Sequence, residues 1–95
     1  MILDIKTIEK ISKALADTNR LKILLDMSKQ NGMIQCAEIM TKVKLAQPSV
    51  SHHIKTLTEA GLIEAEKEGR KHSYNLNHSL LKAYAGWINA IAGKE

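Results

Sequence analysis

The sequence predicts a mainly α-helical single domain spanning residues 1–95, with one small β-hairpin and an extra helix at each end. Three observations lead there. Apolar residues recur at spacings of three and four in segments such as 4–16, 47–60 and 78–92, the period of a helix that buries one face. After Gly61 the period changes to two, the mark of short strands. Ninety-five residues suffice for one modest core and not for two.

The elements follow in order. Ile5, Ile8, Ile11 and Leu15 form a helical stripe, with Ile2 and Leu3 just ahead of it. Asp17-Thr18-Asn19 interrupts the stripe with residues that cap helices, and Leu21, Ile23, Leu24, Leu25 and Met27 continue as a largely buried second helix. Gln30-Asn31-Gly32 signals a turn, Met33-Ile34 a very short strand, and residues 35–42 a short helix. Val43-Lys44-Leu45 leads tightly into the helix of 47–60, where Pro48 is tolerated because the first turn has no intrahelical donor to lose. Gly61 stops that helix as its C′ residue. Leu62–Glu66 and His72–Leu76 read as strands joined by Lys67–Lys71, with Gly69 at the tip, and Asn77 caps the last helix. This order is that of a winged helix-turn-helix with additional terminal helices.

The helix of 47–60 has two unlike faces. Val50, Ile54 and Leu57 share a buried stripe, whereas Gln47, Pro48, Ser51, His52 and Lys55 lie opposite, with Ser49 in the same first turn. That polar face carries hydrogen-bonding groups and a cation but no carboxylate until Glu59. A solvated helix face normally mixes both signs, so this one suits a polyanion, and its hydroxyl, amide and imidazole groups suit base edges in the DNA major groove. Gln47 is able to bond adenine in a bidentate manner. Adjacent helical positions diverge by about 100°, so His52 is expected at DNA and His53 against the protein, packing or bonding internally. The same divergence argues against joint metal coordination by the pair. Thr56 and Thr58 are expected to be helix surface, or at most phosphate contacts.

Arg70 and Lys71 at the hairpin tip form a second candidate DNA site, for phosphate or the minor groove, set against the plainer reading that they solubilise a turn beside Glu68. Lys42 and Lys44 precede the recognition helix, where they would meet phosphates at its entrance. Fourteen Lys+Arg against ten Asp+Glu give a net charge of +4, which favours an acidic partner without requiring one. A single cysteine, Cys36, excludes an intrachain disulfide and fits a reducing compartment. The N-terminus lacks a signal-peptide pattern, and no apolar run nears the roughly 18 residues of a membrane span. A cytoplasmic protein without membrane contact is expected. No phosphate-binding glycine loop, metal-ligand cluster or paired carboxylates are evident, so neither catalysis nor a cofactor is expected.

Four segments resemble the ArsR/SmtB family of bacterial repressors: Ala14–Leu24, Gln47–Leu57, Ala60-Gly61-Leu62-Ile63 and Glu68-Gly69-Arg70-Lys71. They occur in the family's order, and the likeness extends over about residues 5–90. The resemblance implies a homodimeric repressor that binds an inverted-repeat operator and releases it on a chemical signal, with dimerisation through the first and last helices. Ile5, Ile8, Ile11 and Leu15 with Tyr84, Trp87, Ile88 and Ile91 supply more apolar surface than so small a core obviously needs, although monomer packing would also use it. Gly86 beside Trp87 would allow close helix approach, or simply weaken the helix.

The chain departs from the family where metals are sensed. The family's Cys-x-Cys ahead of Glu-Leu is matched here by Gln35-Cys36-Ala37-Glu38-Ile39, so both ligand positions are lost and Cys36 falls between them. One thiolate makes neither a trigonal arsenic site nor a tetrahedral zinc site. A second family site, an Asp-x-His followed by a later His pair or His and Glu, is met by Leu76-Asn77-His78, then by Asn89 and Ala92. No metal is expected. Cys36 reads as a small apolar residue rather than a redox sensor, and the inducing signal is metal-independent or unknown.

Overall fold

The computed structural model describes residues 2–35 and 47–93. Helix α1 spans Ile5–Leu15, α2 Thr18–Lys29, α3 Gln47–Glu59 and α4 His78–Ala92; strand β1 covers Met33–Gln35, β2 Ile63–Glu68 and β3 Lys71–Leu76. The architecture is mainly helical with one small antiparallel sheet, a winged helix-turn-helix flanked by terminal helices. The expected helix over 35–42, with Cys36 in it, lies outside the described residues except for Gln35, which ends β1.

Helices α1, α2 and α4 each begin where a side chain satisfies free amides of the first turn. Asp4 accepts from the Thr7 amide, Asp17 from those of Asn19 and Arg20, and Asn77 from that of Leu80. Helix α3 ends in a Schellman motif. The Leu62 amide donates to the Leu57 carbonyl at 3.1 Å and the Gly61 amide to that of Thr58 at 3.0 Å, with Gly61 at φ +80°. A side chain at Gly61 would be strained in that left-handed conformation. Leu62 therefore completes the helix stop, and the strand starts one residue later than the pattern suggested.

The sheet order is β1-β3-β2, both pairings antiparallel. Strand β3 sits between its neighbours, with Ile34 opposite Tyr74 and Ile63 opposite Leu76. The hairpin is longer than its expected strands. Pairing continues to Glu68 and Lys71, and the connection shrinks to Gly69-Arg70. Gly69 has φ +61°, whereas Arg70 is not among the residues of positive φ. A glycine with positive φ at the first position alone is what a two-residue type II′ turn uses, and it matches the strand twist.

The core gathers Ile11 and Ala14 of α1, Ile23 and Met27 of α2, Ile34 of β1, Val50, Ile54 and Leu57 of α3, and Leu62, Ile63, Leu76 and Leu80. Helix α2 is central, lying against α1, α3, β1 and β3, while α3 also contacts β2. Among the described residues no helix is long and apolar enough to cross a membrane.

Candidate nucleic-acid interface

Helix α3 is held by its apolar side. Val50, Ile54 and Leu57 are buried, and Leu57 is fully enclosed. Ser49, Ser51, His52 and Lys55 are all exposed. Gln47 and Pro48 belong to the first turn of the helix. The helix therefore presents two hydroxyls, an imidazole and an ammonium group to solvent. Lys55 Nζ lies 3.9 Å from Glu59 Oε1, one turn on. Such an exposed pair is worth little, so Lys55 exchanges it for another anion at small cost. Thr58 donates its hydroxyl to the Ile54 carbonyl at 2.7 Å, a bond internal to the helix, and Thr56 is half-buried.

The adjacent histidines separate as their angular spacing requires. His52 is exposed, whereas His53 is 8% exposed and faces the start of α2. Its Nδ1 lies 3.2 Å from Arg20 Nη1 and 3.9 Å from Asp17 Oδ1. Asp17 holds its proton less tightly than an ordinary carboxylic acid. The chief cause is the hydrogen bond from the Arg20 amide, opposed by desolvation and reinforced by the Asn19 amide and the charge of Arg20.

The hairpin has two faces of different charge. Side chains alternate along a strand, so Glu64, Glu66 and Glu68 share one face, together with Asn75 and Ser73 across the ladder. Asn75 donates its side-chain amide to Glu66 on that side. Lys67 lies directly opposite His72 on the other face, which continues from buried Ile63 and Leu76 toward the core and α3. Lys67, His72 and Arg70 are exposed. Lys71 begins β3 opposite Glu68. Lys67, expected in the connector, and His72, expected at a strand start, were not expected to form a pair. A two-residue Gly-Arg turn, extended by strict pairing, would have put them face to face. Lys42 and Lys44 lie outside the described residues.

The terminal-helix residues divide. Ile8 and Ile11 are spent inside the single chain, so they offer a partner no surface. Leu15, Tyr84 and Trp87 are half-buried, and Tyr84 and Trp87 stack with ring centroids 6.4 Å apart. Ile5, Ile88 and Ile91 are exposed, Ile91 to 65%. On α4 the apolar stripe begins at buried Leu80 and continues outward to Ile91 along one helix face. Gly86 on this helix is exposed, with open space around it.

Comparison with known proteins gives a consistent picture. The family model described as "Bacterial regulatory protein, arsR family" matches residues 17–65. An arsenical resistance operon repressor of Staphylococcus aureus is 35% identical over 86 residues, covering 90% of this chain and 81% of that protein. One of Staphylococcus xylosus is 37% identical over 76 residues, covering 80% and 71% respectively. Among solved structures, the crystal structure of an ArsR family transcriptional regulator superposes with a TM-score of 0.79 at 27% identity, covering 93% of this chain and 89% of that one.

Proposed function

Since the chain belongs to the arsR family of bacterial regulatory proteins, and is thus a DNA-binding transcriptional regulator, we propose that it acts as a homodimeric repressor on an inverted-repeat operator. The observation that carries this reading is the exposed face of α3, where Ser49, Ser51, His52 and Lys55 face solvent opposite a buried apolar face. Ser51 and His52 read base edges with Gln47, and Pro48 and Ser49 shape the helix's approach to the groove. Lys55, Lys42 and Lys44 meet phosphates. The wing adds Arg70 and Lys71 at its tip, supported by Lys67 and His72 on the face away from the glutamates.

The dimer rests on Ile5, Ile88 and Ile91, with Leu15, Tyr84 and Trp87 at its margin. A single recognition helix contacts few base pairs, whereas two helices about 34 Å apart read successive major grooves and reach usable affinity. The Staphylococcus relatives are named for arsenical resistance. This chain has one cysteine, and the family's paired thiolate positions hold Gln35 and Ala37, so its release signal is proposed to be independent of metal. Its relatives are regulators and no catalysis is assigned to it.

Titration of the chain against the DNA upstream of its own gene, at about 50 mM salt, tests the reading, because phosphate contacts hold best at low salt. A complex tighter than that with random duplex is expected. Binding no better than random duplex would refute it.

A further inference from the structure

Arg20 joins three helices through one guanidinium group. Its Nε donates to the Ala14 carbonyl at 2.6 Å and its Nη2 to that of Lys13 at 3.2 Å, both at the C-terminal end of α1. Its Nη1 lies 3.2 Å from His53 Nδ1 on α3. Its own amide donates to Asp17 at the start of α2. Arginine has only donors, so the facing Nδ1 is the acceptor and the ring proton sits on Nε2.

We propose that His53 is a positioning residue for DNA recognition: held by Arg20, it fixes the roll of α3 about its axis, and Arg20 carries the end of α1 into that fix. The proposal rests on the DNA-binding reading above. Val50, Ile54 and Leu57 keep α3 docked, but apolar contact is non-directional and sets the roll less sharply than a hydrogen bond. A hydrogen bond to a planar fork is directional. The side chains of a helix reach about 5–6 Å from its axis, so a roll of about 20° displaces their tips by about 2 Å. Base-edge hydrogen bonds span about 2.7–3.2 Å and do not survive that shift. His52 is the next residue to His53 on the same helix, with ring centroids 5.9 Å apart, so any roll at His53 re-aims it directly. Because α1 also carries Ile5 of the proposed dimer surface, the same guanidinium links association to the aim of the reading helix.

The test uses the full chain with His53→Leu, His53→Asn and Arg20→Lys. Leucine removes the acceptor, asparagine places an oxygen near the position of Nδ1, and lysine keeps the charge but loses the fork. Affinities for the duplex from upstream of its own gene, which serves as the operator probe, and for random duplex are measured alongside sedimentation and thermal melting. Since a hydrogen bond to a charged group is worth about 1.5–3 kcal/mol, His53→Leu should weaken operator binding by about tenfold or more, with random-duplex binding within about twofold of the parent. His53→Asn should restore most of the operator preference, and Arg20→Lys should resemble His53→Leu. Should the leucine variant fail to fold, Arg20→Lys against His53→Asn carries the same contrast. An unchanged operator-to-random ratio in folded His53→Leu or Arg20→Lys, or an asparagine variant as defective as leucine, overturns the proposal. A parent protein that does not prefer operator at all refutes the DNA reading instead.

Discussion

The hydroxyl of Ser12 lies 2.7 Å from that of Tyr84, a bond that spans 72 positions of the chain and ties the first helix to the last. It is partly buried, and removing one partner strands the other. Tyr84→Phe should therefore cost about 0.5–1.5 kcal/mol. Urea denaturation at fixed protein concentration measures this, since association would otherwise shift the midpoint. An unchanged midpoint would mean that water replaces the bond freely.

The exposed end of the α4 stripe separates folding from association. Ile91 is 65% exposed in the single chain, so Ile91→Glu should alter monomer stability by no more than about 0.5 kcal/mol. The same change in a two-fold interface would bury two like charges, and sedimentation should show monomer where the parent is dimeric. Ile11→Ala, by contrast, empties a fully buried site and should cost about 2–5 kcal/mol in thermal or chemical denaturation.

Replacing Ser51 and His52 together with alanine should abolish operator preference while leaving random-duplex affinity and oligomeric state near those of the parent. Both side chains are exposed. Competition titrations against random duplex check it, and full retention of operator preference would place the reading face elsewhere.

On the wing, Arg70→Ala and Lys67→Ala should each weaken binding to all sequences by a similar factor and lower the slope of log affinity against log salt by about one. Glu64→Gln, on the opposite sheet face, should leave that slope unaltered. Equal slope changes on both faces would show that net charge, rather than contact, governs the wing.

Acid should act partly through Asp17. Its carboxyl is held below the usual range, mainly by the Arg20 amide, so the folded state favours the ionised form. The contribution to stability is present above about pH 4, the ordinary carboxylate value, and is lost as pH falls through the lower folded value. Asp17→Asn retains a capping oxygen and removes the ionisation. Its stability relative to the parent should improve steadily on acidification below about pH 4, as followed by circular dichroism.

Much of this molecule was legible in its residues because the signals were local. Asn77 announced the start of α4, Gly61 the end of α3, and the 50–54–57 spacing the buried side of the reading helix. The split between His52 and His53 followed from angular geometry alone. What escaped was tertiary. Arg20 and His53 are 33 positions apart, and nothing in the spacing of either indicates that a guanidinium spans three helices. The terminal stripes were legible as apolar, yet periodicity does not tell which members a chain buries for itself. Ile8 and Ile11 went inward, while Ile5 and Ile91 stayed out. The hairpin was legible, but its strands run further toward the tip, through Lys67 and Glu68 on β2 and Lys71 on β3, because charged residues depress strand signals while cross-strand pairing overrides them.

Among the described residues the sheet order leaves β2 at an edge, and after Ile63 that strand runs Glu64, Ala65, Glu66, Lys67 and Glu68. An uncovered strand edge offers free amides and carbonyls to any other strand that drifts alongside. Here an approaching copy of β2 meets three carboxylates, and the other edge, β1, is only three residues long. Neighbouring molecules crowded together are thus kept from joining their sheets into a continuous ribbon.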